Sequence, residues 1–326
     1  MSVEAPPPSP GSATGVIHDL GYRRYDGPRL GRPRIVAALT WHSFRSAFGL
    51  GRGAKAKIVP VITFLALCLP AIVNAFAMSR GNARLISYDT YSPVLRALVM
   101  TIFVAVQAPE LVSRDLRSRV LPLYFSRPIR SSDYPLAKYI AFTAACLVMI
   151  EVPLLLLYVG SIVNVHGGAA VWAQTKALIP GLLVGLMWSV VLAAISLFLA
   201  SLTGRRGFAT GAVAIFFLLT YVLSQILLQV ETQTAINQGP VQVKGGPGGP
   251  IVAGPALPVP TAEKVSGLFS PFTLFDGVRM WLGGTTQADQ VPKPGSFGAV
   301  YALVLLAILA LSLTGLFARY RKARLA

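Results

Sequence analysis

Charge is what this 326-residue chain has least of. Asp, Glu, Lys and Arg make up 13% of it, against 54% apolar residues and a mean hydropathy of +0.63, whereas soluble domains carry about 25% charge. So few charges cannot cover a water-facing surface. That excludes the two ordinary soluble domains this length would otherwise allow. Cysteine is nearly absent too. Cys68 and Cys146 both fall inside apolar runs, which excludes a disulfide framework and any C-x-x-C redox or metal spacing. They read as small buried apolar residues. No G-x-S-x-G, no H-E-x-x-H and no magnesium-holding cluster of aspartates occurs. The three histidines, His18, His42 and His166, lie far apart without metal-ligand spacing. The expectation is no catalytic constellation, no metal site and no cofactor of the chain's own. A G-x-x-x-x-G-K-[ST] phosphate loop is missing as well, so any ATP that drives this protein must sit on another chain.

What the chain does have is long apolar runs. Six reach the roughly 20 residues that a spanning helix needs, near 58–78, 91–112, 139–165, 177–203, 207–230 and 297–318. The fold class they predict is an all-α integral membrane domain over residues 58–318. The second run is interrupted by Arg96 and Glu110 near its two ends, and it spans if each side chain snorkels to an interface. Two pairs with G-x-x-x-G spacing, Gly181/Gly185 and Gly207/Gly211, suggest close helix contacts.

Acids number 12 against 29 Lys and Arg, a net charge of +17. The excess is not scattered. Of the 29, 21 lie before the first run, between the second and third, between the fourth and fifth, or after the sixth. Basic connections stay in the cytoplasm, so both termini are expected inside a cell membrane. Aromatic residues are not interleaved with these basic residues along any groove, so no nucleic-acid partner is expected.

Outside the runs, residues 1–33 read as a disordered cytoplasmic tail, since their Pro-, Ser- and Gly-rich start has no apolar core of the signal-peptide kind. Residues 34–49 carry Ile35, Leu39, Trp41, Phe44 and Phe48 at helical spacing, the pattern of an amphipathic helix in the inner interface and in contact with membrane lipid. Residues 231–296 form an extracytoplasmic loop whose Gly/Pro-rich middle, 239–260, should be flexible. The apolar stretch after it is broken at Ser270–Pro271, as two short helices forming an outer cap or re-entrant hairpin before the sixth span would be. Residues 319–326 are a basic cytoplasmic tail.

Two places invite a functional reading. Glu151 falls within the third run, 13 residues beyond Lys138, or about 19 Å along a helix. A carboxylate at that depth costs about 2.5–3.5 kcal/mol, so it must face the bundle interior, be protonated or find a partner. There it lines a translocation path or makes a structural hydrogen bond, helped by Pro153, which frees a carbonyl one turn earlier. The connection over 113–138 is richer than a topology clamp requires. Leu116, Val120, Leu123 and Tyr124 can share one stripe between the arginines.

This connection resembles the cytoplasmic coupling loop of ABC-2-type permeases, the membrane subunits of one large class of ABC transporters. Those carry an acid, a short helix, a proline, and Gly/Ala-Lys entering the third span. Asp115, Pro128 and Ala137-Lys138 occupy those positions. The acid is Asp rather than the commoner Glu, and Arg119-Val120 replaces the usual Gly-Thr. The layout agrees over roughly residues 17–320. The resemblance implies that Asp115 to Tyr124 form a coupling helix docked on a separate cytoplasmic ATPase. Arg114, Arg117 and Arg119 would pair with acidic groups or phosphates there, while Leu116 and Leu123 seat the helix. Two permeases would pair, as a homodimer or with a similar chain. ATP-Mg would sit on the partner subunit, and most relatives export. A secondary transporter or channel without an ATPase is the main competing reading. A lipid-acting membrane enzyme and an assembly tether are the others.

Overall fold

The computed structural model describes residues 27, 31–80, 88, 93–118, 124, 129–165, 167–237, 241–243, 252–254, 265–282 and 297–323. Helix α1 (Arg32–Ala47) starts behind Gly31 with a proline in its first turn, where the missing N–H is not needed. It ends at Gly49, whose φ of 70° only glycine adopts freely. A Cβ at Gly49 would stand 2.5 Å from the carbonyl oxygen of Ala56, so this tight corner lies directly against the first turn of α2 (Lys55–Ser79). The next helices are α3 (Pro93–Arg117), α4 (Asp133–Val163), α5 (Gly168–Ser201) and α6 (Arg206–Asn237). An 11-residue helix α7 (Pro271–Trp281) and the closing helix α8 (Gly298–Ala323) follow.

Six of these, α2 to α6 and α8, are long and apolar enough to cross a membrane. The architecture is that of a helical multi-pass membrane protein. The expected runs all fall on these helices, but α4 begins at Asp133 and α5 at Gly168, well ahead of the apolar residues that announced them. Lengths of 31 and 34 residues give about 46–51 Å against a hydrocarbon core of about 30 Å. Their ends therefore stand in the headgroup region or beyond.

Packing sorts the helices into centre and rim. Helices α4 and α5 lie against each other. Helices α1 and α2 pack on α4, α3 packs on α5 and α6, and α8 packs on α5 and α7. In α3, 78% of the apolar window is buried, against 17% in α6 and 22% in α8. The rim helices show leucines outward, Leu303 and Leu311 among them, as lipid contact requires. Helix α3 carries the polar interruptions because it is central. Arg96 and Glu110, expected to snorkel outward, instead turn into the bundle and keep only 2% and 7% of their surface. Of the glycine pairs, Gly181 and Gly185 do face α4, where a Cβ would meet Leu154 and Glu151. Gly207 and Gly211 have open space beside them among the described residues.

The loop before α8 is partly built. Val241–Val243 pairs antiparallel with Val252–Gly254 inside the Gly/Pro-rich stretch expected to be flexible. The chain breaks at Ser270, as its neighbouring proline predicts. A 3-10 turn (Gly267–Phe269) ends there, and the Ser270 hydroxyl accepts from the Phe272 N–H at the start of α7. Every residue from Pro271 to Arg279 is buried, against α5, α6 and α8. Gly277 permits this, since a Cβ there would lie 2.1 Å from Cδ2 of the fully buried Tyr301. Gly277→Ala is expected to destabilise the folded protein by about 1–3 kcal/mol, and Gly277→Ala/Tyr301→Leu to regain much of that, read as thermal unfolding in detergent.

Candidate functional site

One end of the bundle gathers the basic residues and the charged ties between elements. Three acids organise it. Asp133, in the first turn of α4, takes both prongs of the Arg32 guanidinium at 2.5 and 2.7 Å and the Arg130 N–H at 2.8 Å. Hydrogen bonding to Asp133 raises Arg32 above its ordinary pKa, and the fork-to-carboxylate geometry fixes α1 onto α4. Glu110, near the end of α3, is ringed by three arginines. Arg52 from the α1–α2 corner pairs with its Oε1, Arg206 at the start of α6 lies 2.8 Å from its Oε2, and Arg114 lies 3.5 Å away one turn on. Burial pushes Arg52 below its ordinary pKa while Glu110 opposes the shift.

The third acid is Asp115, the residue expected to open a coupling helix. It belongs to the last turn of α3, which runs on to Arg117. Its Oδ2 receives Lys138 Nζ at 2.9 Å and the Tyr134 hydroxyl at 2.5 Å, both from α4. Lys138 keeps only 7% of its side-chain surface and also lies 5.3 Å from the Tyr134 ring. The Tyr134 ring packs at a tilt, at 5.0–5.4 Å, between Tyr320 of α8 and Tyr124. Leu116 packs on the main apolar core, while Arg114 and Arg117 are exposed. Five of the seven predicted coupling residues thus divide: Asp115, Leu116 and Tyr124 hold the junction together, and Arg114 and Arg117 point outward. Arg119 and Leu123 lie outside the described residues.

Glu151 sits elsewhere, deep in α4, with 8% of its surface exposed and neither carboxylate oxygen hydrogen bonded among the described residues. It fits because Gly185 of α5 has no side chain; a Cβ there would be 2.1 Å from its Oε1. Its charge is not alone. Arg96 of α3 acts on it electrostatically and lies 4.3 Å from the Trp188 ring. Trp188 in turn stacks on Phe275 and Phe272 of α7, at 4.8 and 5.2 Å. Helices α3, α4, α5 and α7 thus meet around a buried acid, an arginine and three aromatic rings.

Sequence reasoning missed that Arg96 serves Glu151. On straight antiparallel helices joined at Asp115–Lys138, Arg96 stands about 28 Å from the joint and Glu151 about 19 Å. That offset hides the relation until helix tilt and the reach of the arginine are known. The arginine ring around Glu110 was hidden for a simpler reason, since its members come from three separate segments. No group of three or more His, Cys, Asp or Glu residues able to hold a metal occurs among the described residues. No protein-family model matches the sequence, and a search of curated proteins finds no match.

Proposed function

We propose that this chain is the membrane-spanning permease subunit of an ABC-2-type transporter, an exporter driven by a separate cytoplasmic ATPase. The observation that carries the proposal is the joint of Asp115 on α3 with Lys138 and Tyr134 on α4. The segment between these helices leaves from one clamped end and returns to the other, so a force applied there reaches two packed spans together. The ATPase, with ATP-Mg on its own residues, would grip that segment through the outward arginines Arg114 and Arg117.

In this reading the basic end faces the cytoplasm with both termini. Helix α1 lies in the inner interface with Trp41, 62% exposed, at headgroup depth. The turn and α7 form the re-entrant element before the last span. A second permease chain completes the path in the cell membrane. The test is isolation of the native complex in mild detergent, with a photocrosslinker at Arg117. A nucleotide-hydrolysing subunit should co-purify and crosslink at that position; a chain that isolates without one refutes the proposal.

A secondary transporter or channel is the second reading, favoured by the buried Glu151–Arg96 relation, since charges at such depth mark ion or substrate pathways. Glu151→Gln separates the alternatives. If Glu151 lines the path of the ATP-driven protein, the variant folds normally and changes substrate-stimulated ATP hydrolysis. Loss of folded protein assigns Glu151 to structure alone. Loss of ion-driven uptake with no ATPase present favours the secondary transporter.

A further inference from the structure

The basic end contains a cavity of about 760 Å³ that the ties described above only partly fill. Four cationic side chains line it, Arg45, Arg52, Arg114 and Lys138, against two acids, Glu110 and Asp115. The surplus is two positive charges, and Glu110 is further shared with Arg206. Arg45 is exposed, in the last turn of α1. Arg52 binds Glu110 and the Ser46 carbonyl through its two terminal nitrogens. Its Nε is buried without an acceptor among the described residues, and a donor so placed calls for an anion or polar oxygen.

A second cavity of about 660 Å³ shares Arg52 and Glu110 with the first, and its wall continues along Ala56 and Val59 of α2 and Val106 of α3. From there α2 shows a lipid-type surface, with Ile58 and Ile62 more than half exposed. Lys55, Gln107 and Arg206 also line this second cavity, so the two form one cationic recess that opens beside the apolar surface of α2, and that matches one molecule with an anionic head and an acyl body. An acidic protein segment would use the cations and leave the exposed apolar face of α2 without an occupant.

We propose that these adjoining cavities bind a single anionic phospholipid, its phosphate held by Arg45 and Arg52 and its acyl chains led out between α2 and α3. The inference requires only that the six helices cross a membrane; it stands or falls separately from the ATPase. The test is native mass spectrometry of the intact chain released from nanodiscs holding equal amounts of phosphatidylglycerol and phosphatidylcholine. Phosphatidylglycerol should be retained in preference, one per chain. Arg45→Gln should weaken its retention about fivefold, the loss expected for one basic residue near a headgroup. Arg34→Gln, on the same helix but outside the cavity, should leave it unchanged. Equal retention of the two lipids overturns the proposal, as does an equal loss in Arg34→Gln. Release of the lipid by excess inorganic phosphate identifies a soluble anion as the occupant and also overturns it. So does an acidic protein segment crosslinking at position 45 with no lipid retained.

Discussion

On the proposed ATPase-driven reading, Leu116→Ala combined with Arg117→Glu will reduce transport to background while the protein still inserts in the membrane. The expectation follows from where these side chains sit. Arg117 is exposed at the end of α3 and has no tie within the described fold, so reversing its charge removes only what it offers a partner. Leu116 packs partly on the core, and its truncation loosens the seat of the same turn. Arg117→Glu alone guards against a folding artefact, because an exposed terminal residue contributes little to stability. Transport assayed in vesicles with the ATPase present checks both variants. Full transport in the double variant would remove the end of α3 from the coupling path.

Asp115→Asn will destabilise the protein by about 3–5 kcal/mol, the range seen when one partner of a buried ion pair is removed. Lys138, 7% exposed, would keep its charge in a pocket of tyrosines with no carboxylate to meet it. Asp115→Asn/Lys138→Met should recover most of the loss, since an apolar side chain of similar length suits that pocket. Lys138→Met alone should cost less than Asp115→Asn, because Asp115 is 18% exposed and keeps the Tyr134 hydroxyl. Thermal unfolding of the four proteins in one detergent gives the coupling energy. Additive effects would mean that α3 and α4 are joined elsewhere, and the clamp would lose its mechanical role.

The legible part of this protein was whatever hydrophobicity alone decides. The six spans could be read because runs near Ile58, Tyr139 and Ala177 are too long and apolar for any soluble helix, and the break at Ser270–Pro271 could be read because proline lacks an N–H. The ion pairs could not. Glu110 looked like a side chain reaching for an interface, because nothing in one dimension places Arg52 and Arg206 beside it. Asp115 looked like the first residue of a separate helix. In the folded chain its nearest cation is Lys138, 23 positions on, and α3 simply continues past it. Glu151 was legible as a buried acid from its depth. Its relation to Arg96 depends on the tilt between two helices, and its accommodation depends on one absent methyl group at Gly185.

The 11 residues of α7 cover about 16 Å, half a bilayer, so a translocation channel cannot release them sideways as a span. Their shelter comes from α5 and α6, made before them, and from α8, made after them. Until synthesis passes residue 298, Phe272, Phe275 and the Asp276–Arg279 turn have only part of their final surroundings. The segment can therefore reach its final packing only once α8 is in place.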